Sequence, residues 1–147
     1  MTAVPIVPTF LEDVEFVVDA DDYAAHVSRV EFVPSRTNVQ WRGMSKDSTH
    51  NRSGRGTVVA NVDYAQDWTT PKSFSRYLAA HDGEIKTVRF QPVKGSGEPS
   101  FTVDVQIVAG PIGGAVDTIA VGSVSLPCQG APVPDYDDDP ITPNPAD

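Results

Sequence analysis

Alternation of apolar and polar residues is the feature that most constrains how this chain folds. Between residues 57 and 64 the apolar side chains fall on one parity, namely Val58, Ala60, Val62 and Tyr64. Side chains two residues apart share one face of a β-strand, so the segment predicts a half-buried strand. Residues 101–107 repeat the pattern, and less regular runs predict further strands at 14–18, 27–33, 39–41 and 85–90. Over residues 119–126 the alternation changes phase at Gly122 and Ser123, which predicts a β-bulge.

Composition supports a soluble, mainly β protein. Thirteen prolines and eleven glycines among 147 residues leave little room for long helices, and no apolar run is long enough for a membrane span. The single cysteine, Cys128, excludes an internal disulfide framework. The start of the chain lacks the basic region of a secretory signal. We therefore expect a mainly β fold, an antiparallel β-sandwich or open barrel with one short flanking α-helix.

The chain divides into three parts. Residues 1–10, with Pro5 and Pro8, predict an extended N-terminal arm, and residues 11–128 form the β domain. Residues 129–147 hold five prolines and five aspartates with little to bury, which predicts an acidic tail that is disordered or orders only on a partner. Its aspartates lack the spacing of a calcium-binding loop, so we interpret the tail as solvated rather than metal-binding.

One helix is predicted over about residues 71–82. Thr70 is a plausible N-cap, Pro71 suits the first helical position, and Gly83 is a suitable end. An apolar stripe and the tryptophan just before the helix form its predicted packing surface: Phe74, Tyr77, Leu78 and Trp68.

A polar, Gly- and Ser-rich loop is predicted over residues 42–56. Its four basic residues against the one acidic Asp47 give it a net charge of +3 in a chain of net charge −9: Arg42, Lys46, Arg52 and Arg55. The loop lacks the GKS or GKT of a P-loop, and no GxGxxG follows a strand. A protein contact is the favoured interpretation, and phosphate or nucleic-acid binding and a mobile solvated loop stay open.

No motif predicts catalysis, a cofactor or a metal. The histidines, His26, His50 and His81, are scattered and form no HExxH motif, and no GxSxG motif is present. Trp41 shares a strand face with Val39, which predicts that both lie in the core.

The order of motifs after residue 62 resembles the major tail tube proteins of long-tailed phages. The shared features are a strand ending near Gln66-Asp67-Trp68, a Pro-Lys-Ser helix start, a glycine turn and a strand ending in Phe90-Gln91-Pro92. Downstream, a Gly-Gly pair precedes a last strand ending in Ser-Leu-Pro, with Gly-Ala-Pro after it. The resemblance covers about residues 15–133.

This resemblance implies a virion protein of a siphovirus-like, non-contractile tail. Homohexameric rings would stack into the tail tube, the channel for genome ejection, after assembly in the bacterial host cytoplasm. The long loop would reach an adjacent ring, and the terminal segments would bridge neighbours. Implied partners are the tape measure, tail terminator and tail-tip proteins, with DNA passing through without specific binding and no membrane contact.

The residues themselves agree with this at three points. Asp63 and Asp104 lie on polar strand faces and are candidates for the channel surface, where carboxylates would repel DNA phosphates. A ring of six copies would carry −54 charges, so basic loop residues facing the acidic segment 12–22 would aid assembly. The candidate contact residues are Arg42, Lys46, His50, Arg52 and Arg55. Open strand edges would be satisfied by strand addition.

Two other functions stay open. A monomeric β-sandwich module could bind a glycan or protein through Trp68 or the 42–56 loop. A nucleic-acid-binding accessory protein could use the same basic loop.

Overall fold

The structure is a computed structural model that describes residues 2–136. Along these residues it contains ten strands and one α-helix. The strands are β1 (Glu15–Val18), β2 (Asp21–Asp22), β3 (Val27–Ser35), β4 (Asn38–Arg42), β5 (Thr49–Ser53), β6 (Thr57–Ala65), β7 (Ile85–Gln91), β8 (Ser100–Gln106), β9 (Val121–Pro127) and β10 (Val133–Asp135). The helix is α1 (Phe74–Ala80). The prediction of a mainly β fold with one short helix is confirmed.

The strands form three antiparallel sheets. A five-stranded sheet has the order β10-β8-β7-β1-β2, a three-stranded sheet has the order β3-β6-β9, and β4 pairs with β5 alone. The two larger sheets are joined along one side, where Cys128 bridges to Val105 and Gln129 N donates to Asp104 O over 2.8 Å. The body is therefore a β-sandwich closed along one side.

The inner faces of the two larger sheets form a shared core. The parity predicted from the sequence is the buried one in β6, since Val58, Ala60, Val62 and Tyr64 are all buried. The facing sheet contributes buried residues from β1, β7 and β8: Phe16, Val18, Val88, Phe90, Val103 and Val105. Each of these larger side chains stabilises the fold by roughly 1.5–3 kcal/mol through burial.

Helix α1 closes the core with an aromatic cluster. Phe74 is fully buried, and its ring lies 6.0 Å from Phe16 and 5.2 Å from both Tyr23 and Tyr64. Leu78 is buried beside it. Such edge-to-face and tilted rings stabilise a core beyond simple burial.

The other two members of the predicted packing surface are only partly covered. Tyr77 is half-buried and stacks on His81 at 4.4 Å. Trp68 is 36% exposed, donates from Nε1 to Gln66 Oε1 over 3.2 Å, and accepts at its carbonyl from Arg76 Nε over 2.9 Å. Trp68 thus connects β6 to the first turn of α1.

The helix begins three residues later than the sequence predicts. Its N-cap is Ser73, whose hydroxyl accepts from Arg76 N over 3.3 Å. The Asp67 carboxylate accepts from Thr69 N and Thr70 N, at 3.0 and 3.1 Å, and holds the preceding residues in a turn. The turn is closed by Ser73 N, which donates to Thr70 O over 3.2 Å, and it occupies the position at which the sequence predicts the first helical turn.

Two further predictions are wrong. Strand β9 pairs with β6 in one uninterrupted register, so there is no bulge at Gly122, and Ile119 is an exposed loop residue. The predicted disordered tail begins with ordered chain, since β10 pairs with β8 through Val133 and Pro134. The remaining tail, residues 137–147 with Asp137, Asp138 and Asp139, lies outside the described residues. No helix in the described part of the chain has the length and apolar character needed to cross a membrane.

Candidate assembly site

The predicted loop over residues 42–56 is largely a β-hairpin. Strands β4 and β5 pair along their whole length, from Asn38 opposite Ser53 to Arg42 opposite Thr49. The turn is closed by Gly43 N, which donates to Ser48 O over 2.7 Å. Only residues 43–48 and 54–56 of the predicted loop lie outside strands, so the loop prediction is wrong. We call residues 38–53 the hairpin.

The hairpin extends the ladder formed by β3 and β6. These strands pair up to Ser35 opposite Thr57, and beyond them Gly54 N donates to Thr37 O over 2.6 Å. Every residue of β4 and β5 is exposed, and their extensive contacts are only with each other. The hairpin therefore projects from the body as a two-stranded ribbon.

Glycine is required where the turn of the hairpin meets its strands. A Cβ atom at Gly43 would lie 2.4 Å from Ser48 Oγ and 2.9 Å from the Trp41 ring. The absence of a side chain lets the turn fold close to the indole. The turn thus fixes the register that sets which side chains share a face.

One face of the hairpin combines apolar and basic side chains. Cross-strand pairing places Val39 beside Arg52 and Trp41 beside His50, with the two rings of the latter pair 6.0 Å apart. Val39 and Trp41 are each 62% exposed. We call these four residues the Trp41 face.

The five predicted contact residues do not form one cluster. His50 and Arg52 lie on the Trp41 face, whereas the pairing register places Arg42 on the opposite face. Lys46 is in the turn, and Arg55 follows β5 in the link to β6. None of the five forms an ion pair with another described residue.

Val39 and Trp41 are the residues that the sequence reasoning misplaced. Parity correctly put them on one strand face, but the prediction that this face is core is wrong. The strand that pairs with them carries only polar residues, Thr49 to Ser53, and within residues 2–136 no other strand or helix makes extensive contacts with β4. The polar composition of residues 42–56 could have indicated that Val39 and Trp41 are exposed, because a strand in the core pairs with a strand that also carries apolar residues.

The two candidate channel carboxylates lie on different surfaces. Asp63 projects from the outer face of the three-stranded sheet, and Asp104 projects from the outer face of the five-stranded sheet. The expectation of one acidic surface containing both is therefore wrong. Asp104 accepts from Thr87 Oγ1 over 2.7 Å.

Asp63 also has a basic neighbour. Arg29 Nη1 lies 3.7 Å from Asp63 Oδ2, and Arg29 also pairs with Glu31. The sequence reasoning found no cation on the Asp63 face because Arg29 comes from the adjacent strand β3. The three residues together carry one net negative charge.

Short polar side chains from β6 and β9 occupy the middle of the outer face of the three-stranded sheet, and Val33, Val59 and Val121 lie on the same face around them. Ser123 Oγ donates to Asp63 Oδ1 over 2.6 Å, and Ser125 Oγ donates to Asn61 Oδ1 over 2.8 Å. These cross-strand bonds hold the side chains flat against the sheet. We call these four residues the polar face.

Strands β3 and β9 are the two edges of this sheet. Cys128 N donates to Val58 O and Gln66 N donates to Ala120 O, both over 2.9 Å. Because hydrogen-bonded positions alternate in an antiparallel pair, the even residues of β9 bond to β6. The backbone groups of Ser123 and Ser125 consequently point outward at the free edge, whereas the Val121 carbonyl accepts from Gln66 Nε2 over 2.8 Å.

The acidic segment 12–22 is partly used within the subunit. Glu15 pairs with Arg89, Asp19 Oδ2 lies 4.0 Å from Lys86 Nζ, and Asp22 Oδ1 accepts from Ala24 N over 2.9 Å. Glu12 and Asp13 are exposed and form no ion pair with a described residue. These two are the acidic groups of the segment most accessible to a second chain.

The Cys128 thiol is half-buried beside the seam between the two larger sheets. Burial raises the pKa of this thiol above its ordinary value. A raised pKa keeps the sulfur protonated and weakly nucleophilic at neutral pH.

No protein-family model matches the chain, and no curated protein matches it either. Within residues 2–136, no three or more His, Cys, Asp or Glu side chains are grouped so that they could hold a metal ion. The features that stand out are the Trp41 face, the polar face and the two free sheet edges.

Proposed function

We propose that this chain is a non-enzymatic structural protein that self-assembles into stacked rings forming the tail tube of a long-tailed, non-contractile phage. The observation that carries the proposal is the projecting hairpin with its exposed Trp41 face. A two-stranded ribbon alone in water is marginally stable, so such a hairpin is best explained by a partner that covers it.

The Trp41 face suits a protein contact. Trp and Arg are enriched among the side chains that contribute most to protein interfaces, and here Trp41 and Arg52 share one face. A second copy of a chain with net charge −9 offers acidic partners, with Glu12 and Asp13 the most accessible. We infer that the Trp41 face contacts the next ring and that Arg52 sets the register of that contact.

The three-stranded sheet suits closure of a ring. Pairing of the free β9 edge with the β3 edge of a neighbour is a head-to-tail contact, and such contacts close into rings. Six copies with three strands each would form a barrel of 18 strands. At a spacing of about 4.8 Å and a tilt of about 40°, its backbone diameter is roughly 36 Å.

In this arrangement the polar face lines the channel. Asn61, Ser123 and Ser125 are short and uncharged, and Asp63 with its neighbours adds one net negative charge per subunit. A smooth surface of weak negative potential lets a DNA duplex pass without binding. Asp104, on the other sheet, has no part in this surface.

The tape measure protein inside the tube, and the terminator and tail-tip proteins at its ends, are the partners that this function requires. The site of action is the virion tail, after assembly in the bacterial host cytoplasm.

Charge reversal on the two faces of the hairpin tests the proposal. Arg52→Glu alters the Trp41 face, and Arg42→Glu makes the same change on the opposite face as a matched control. We expect both variants to fold, Arg52→Glu to block tube growth, and Arg42→Glu to form tubes, as counted by electron microscopy. Normal tubes from Arg52→Glu would overturn the role of this face.

The combination of Trp41 with His50 and Arg52 also favours a second candidate, a hairpin that binds single-stranded nucleic acid by stacking and charge. That function requires affinity that falls with salt, with a slope of about 0.7 per phosphate contact on single strands. Quenching of tryptophan fluorescence by oligonucleotides at several salt concentrations separates the two candidates, measured in a Trp68→Phe variant so that Trp41 is the one remaining tryptophan.

A further inference from the structure

We propose that the loop over residues 114–120 binds a second copy of this chain, at the start of that copy's strand β3. We call residues 114–120 the apolar loop. The inference deepens the proposed ring closure and rests on it for the pairing of β9 with a neighbouring β3. It adds apolar side chains to a contact that the two backbone edges alone would otherwise make.

The apolar loop exposes large side chains in a stretch of the chain that is almost uncharged. Val116 is 84% exposed and Ile119 is 79% exposed. Asp117 is the one charged residue from residue 105 to residue 134, whereas 21% of the whole chain is charged. Exposed apolar side chains of a monomer are normally scattered singly over its surface. Two of them so close together, with one charge near them, indicate a contact surface.

The two ends of the apolar loop are held beside the start of β9. Gln66 Nε2 donates to Gly113 O over 3.0 Å and to Val121 O over 2.8 Å, and Gln66 Oε1 accepts from Gly113 N over 2.9 Å. Gln66 N also donates to Ala120 O over 2.9 Å. Because both ends are held, a partner that covers the loop loses less affinity to conformational ordering than it would on a free segment.

The same bonds place the apolar loop at the free edge of the three-stranded sheet. Strand β9 is the outermost strand of this sheet, and Val121 is its first residue. The Val121 carbonyl points away from β6, because hydrogen-bonded positions alternate along the strand. The bond from Gln66 to this carbonyl therefore brings Gly113, and the loop that follows it, beside the free edge. A chain that pairs with the β9 edge meets the apolar loop as well.

Strand direction decides which part of the neighbour meets the loop. Strands β3 and β9 are both antiparallel to β6, so they run in the same direction. Val27 pairs with Tyr64 and Val121 pairs with Ala65, so both strands start at the same end of the sheet. Rotation about the axis of a ring preserves this direction. The start of β9, with the apolar loop, therefore lies beside the start of the neighbour's β3.

The start of β3 offers a concave surface to the loop. A short 3-10 helix, Ala24–His26, precedes the strand, and a cavity of about 470 Å³ opens beside the two. Its apolar lining is Leu11, Val14, Ala24, Ala25, Val27, Val30 and Phe90, and its charged lining is Glu12, Asp13, Asp22, Arg29 and Lys94. The apolar part of this lining fits Val116 and Ile119. Lys94 forms no ion pair within residues 2–136 and is available to Asp117.

Charged substitutions test the loop. Ile119→Asp places a charge in the proposed contact, and Ile112→Asp makes the same change in a side chain that is also 79% exposed but precedes Gly113. We expect Ile119→Asp to weaken association of subunits about tenfold or more in sedimentation over a concentration series, because docking would bury an unpaired charge. Ile112→Asp should associate like the parent. Equal association of the two variants would overturn the proposal, and so would a parent that stays monomeric at every concentration.

Cross-linking tests where the loop binds. Val116→Cys is mixed either with Ala25→Cys or with Ser35→Cys, each in a Cys128→Ser background, and the mixture is treated with a short bismaleimide. Strand β3 has 9 residues, so its last residue, Ser35, lies roughly 26 Å from its start. We expect cross-linked pairs with Ala25→Cys and none with Ser35→Cys. Pairs with Ser35→Cys, or no pairs with either, would overturn the proposal.

The same variants separate this inference from the tube function. Normal rings and tubes from Ile119→Asp would overturn the loop contact and leave the tube function standing. Cross-linked pairs of Val116→Cys with Ala25→Cys that never grow into rings would support the loop contact and contradict the tube function.

Discussion

Replacing Trp41 by alanine should weaken assembly strongly while leaving the folded subunit intact. Trp41 is 62% exposed, so of the roughly 250 Å² that a tryptophan can bury, about 155 Å² is open to a partner. At about 25 cal/mol per Å², complete coverage is worth about 4 kcal/mol, and half coverage about 2 kcal/mol. Because 1.4 kcal/mol corresponds to a factor of ten, association should weaken by about 30- to 700-fold.

The assay is the critical concentration for assembly, measured by pelleting the assembled fraction over a dilution series. Thermal unfolding of unassembled protein serves as the folding control, since surface substitutions change stability by only about 0.5 kcal/mol. Ile112→Ala truncates another exposed apolar side chain, in the loop before β9, and should leave the critical concentration unchanged. A Trp41→Ala variant with the same critical concentration as the parent would refute the reasoning.

Three further predictions concern the fold. Ser73→Ala should reduce the free energy of unfolding by about 1 kcal/mol in urea titrations, because Arg76 N loses its N-cap acceptor. Gly122→Ala should cost about 1–3 kcal/mol in the same assay, since its Cβ would lie 2.8 Å from the Tyr64 ring. Tyr77→Phe should be neutral or stabilising at neutral pH, because the Tyr77 hydroxyl is buried and has no hydrogen-bond partner in the described part of the chain. Burial also raises the pKa of Tyr77 from 10.0 to about 12. The free energy of unfolding of the parent should therefore fall more steeply between these pH values than that of Tyr77→Phe. Equal pH dependence of the two proteins would contradict this.

The strands of the two larger sheets were predictable because a strand with one buried face and one exposed face alternates apolar and polar residues. The alternation of Val58, Ala60, Val62 and Tyr64 exists because one side of β6 faces the core and the other faces water. The hairpin has no buried side, so β5 carries no alternation and its sequence is that of a loop. A projecting ribbon of this kind becomes recognisable only when its register is known.

The candidate site was predictable in part for the same reason. Periodicity places Val39 and Trp41 on one face of a strand, but what covers that face depends on the neighbouring strand. Likewise, Asp63 and Asp104 each lie on polar strand faces, but only the sheet order shows that these faces point apart. Arg29 reaches Asp63 across a strand pair, 34 residues away in sequence, which local patterns do not record.

The sequence offers two possible N-cap residues for the helix, Thr70 and Ser73, and the structure uses Ser73. Thr70 followed by Pro71 is a good helix start by itself, but Asp67 binds the backbone donors of Thr69 and Thr70 first. Ser73 then accepts from Arg76 N and donates to Asp67 O over 2.5 Å, which connects the turn to the helix. Thr70 and Ser73 are both residue types that favour the N-cap position. Helix propensity alone therefore does not decide which of the two begins the helix.

Electron microscopy of the purified protein, concentrated and left to stand in moderate salt, tests the central claim most directly. Self-assembly through the hairpin and the sheet edges predicts hollow tubes or stacked rings, with about three strands per subunit lining the channel. Particles that stay monomeric up to the highest soluble concentration would contradict the account.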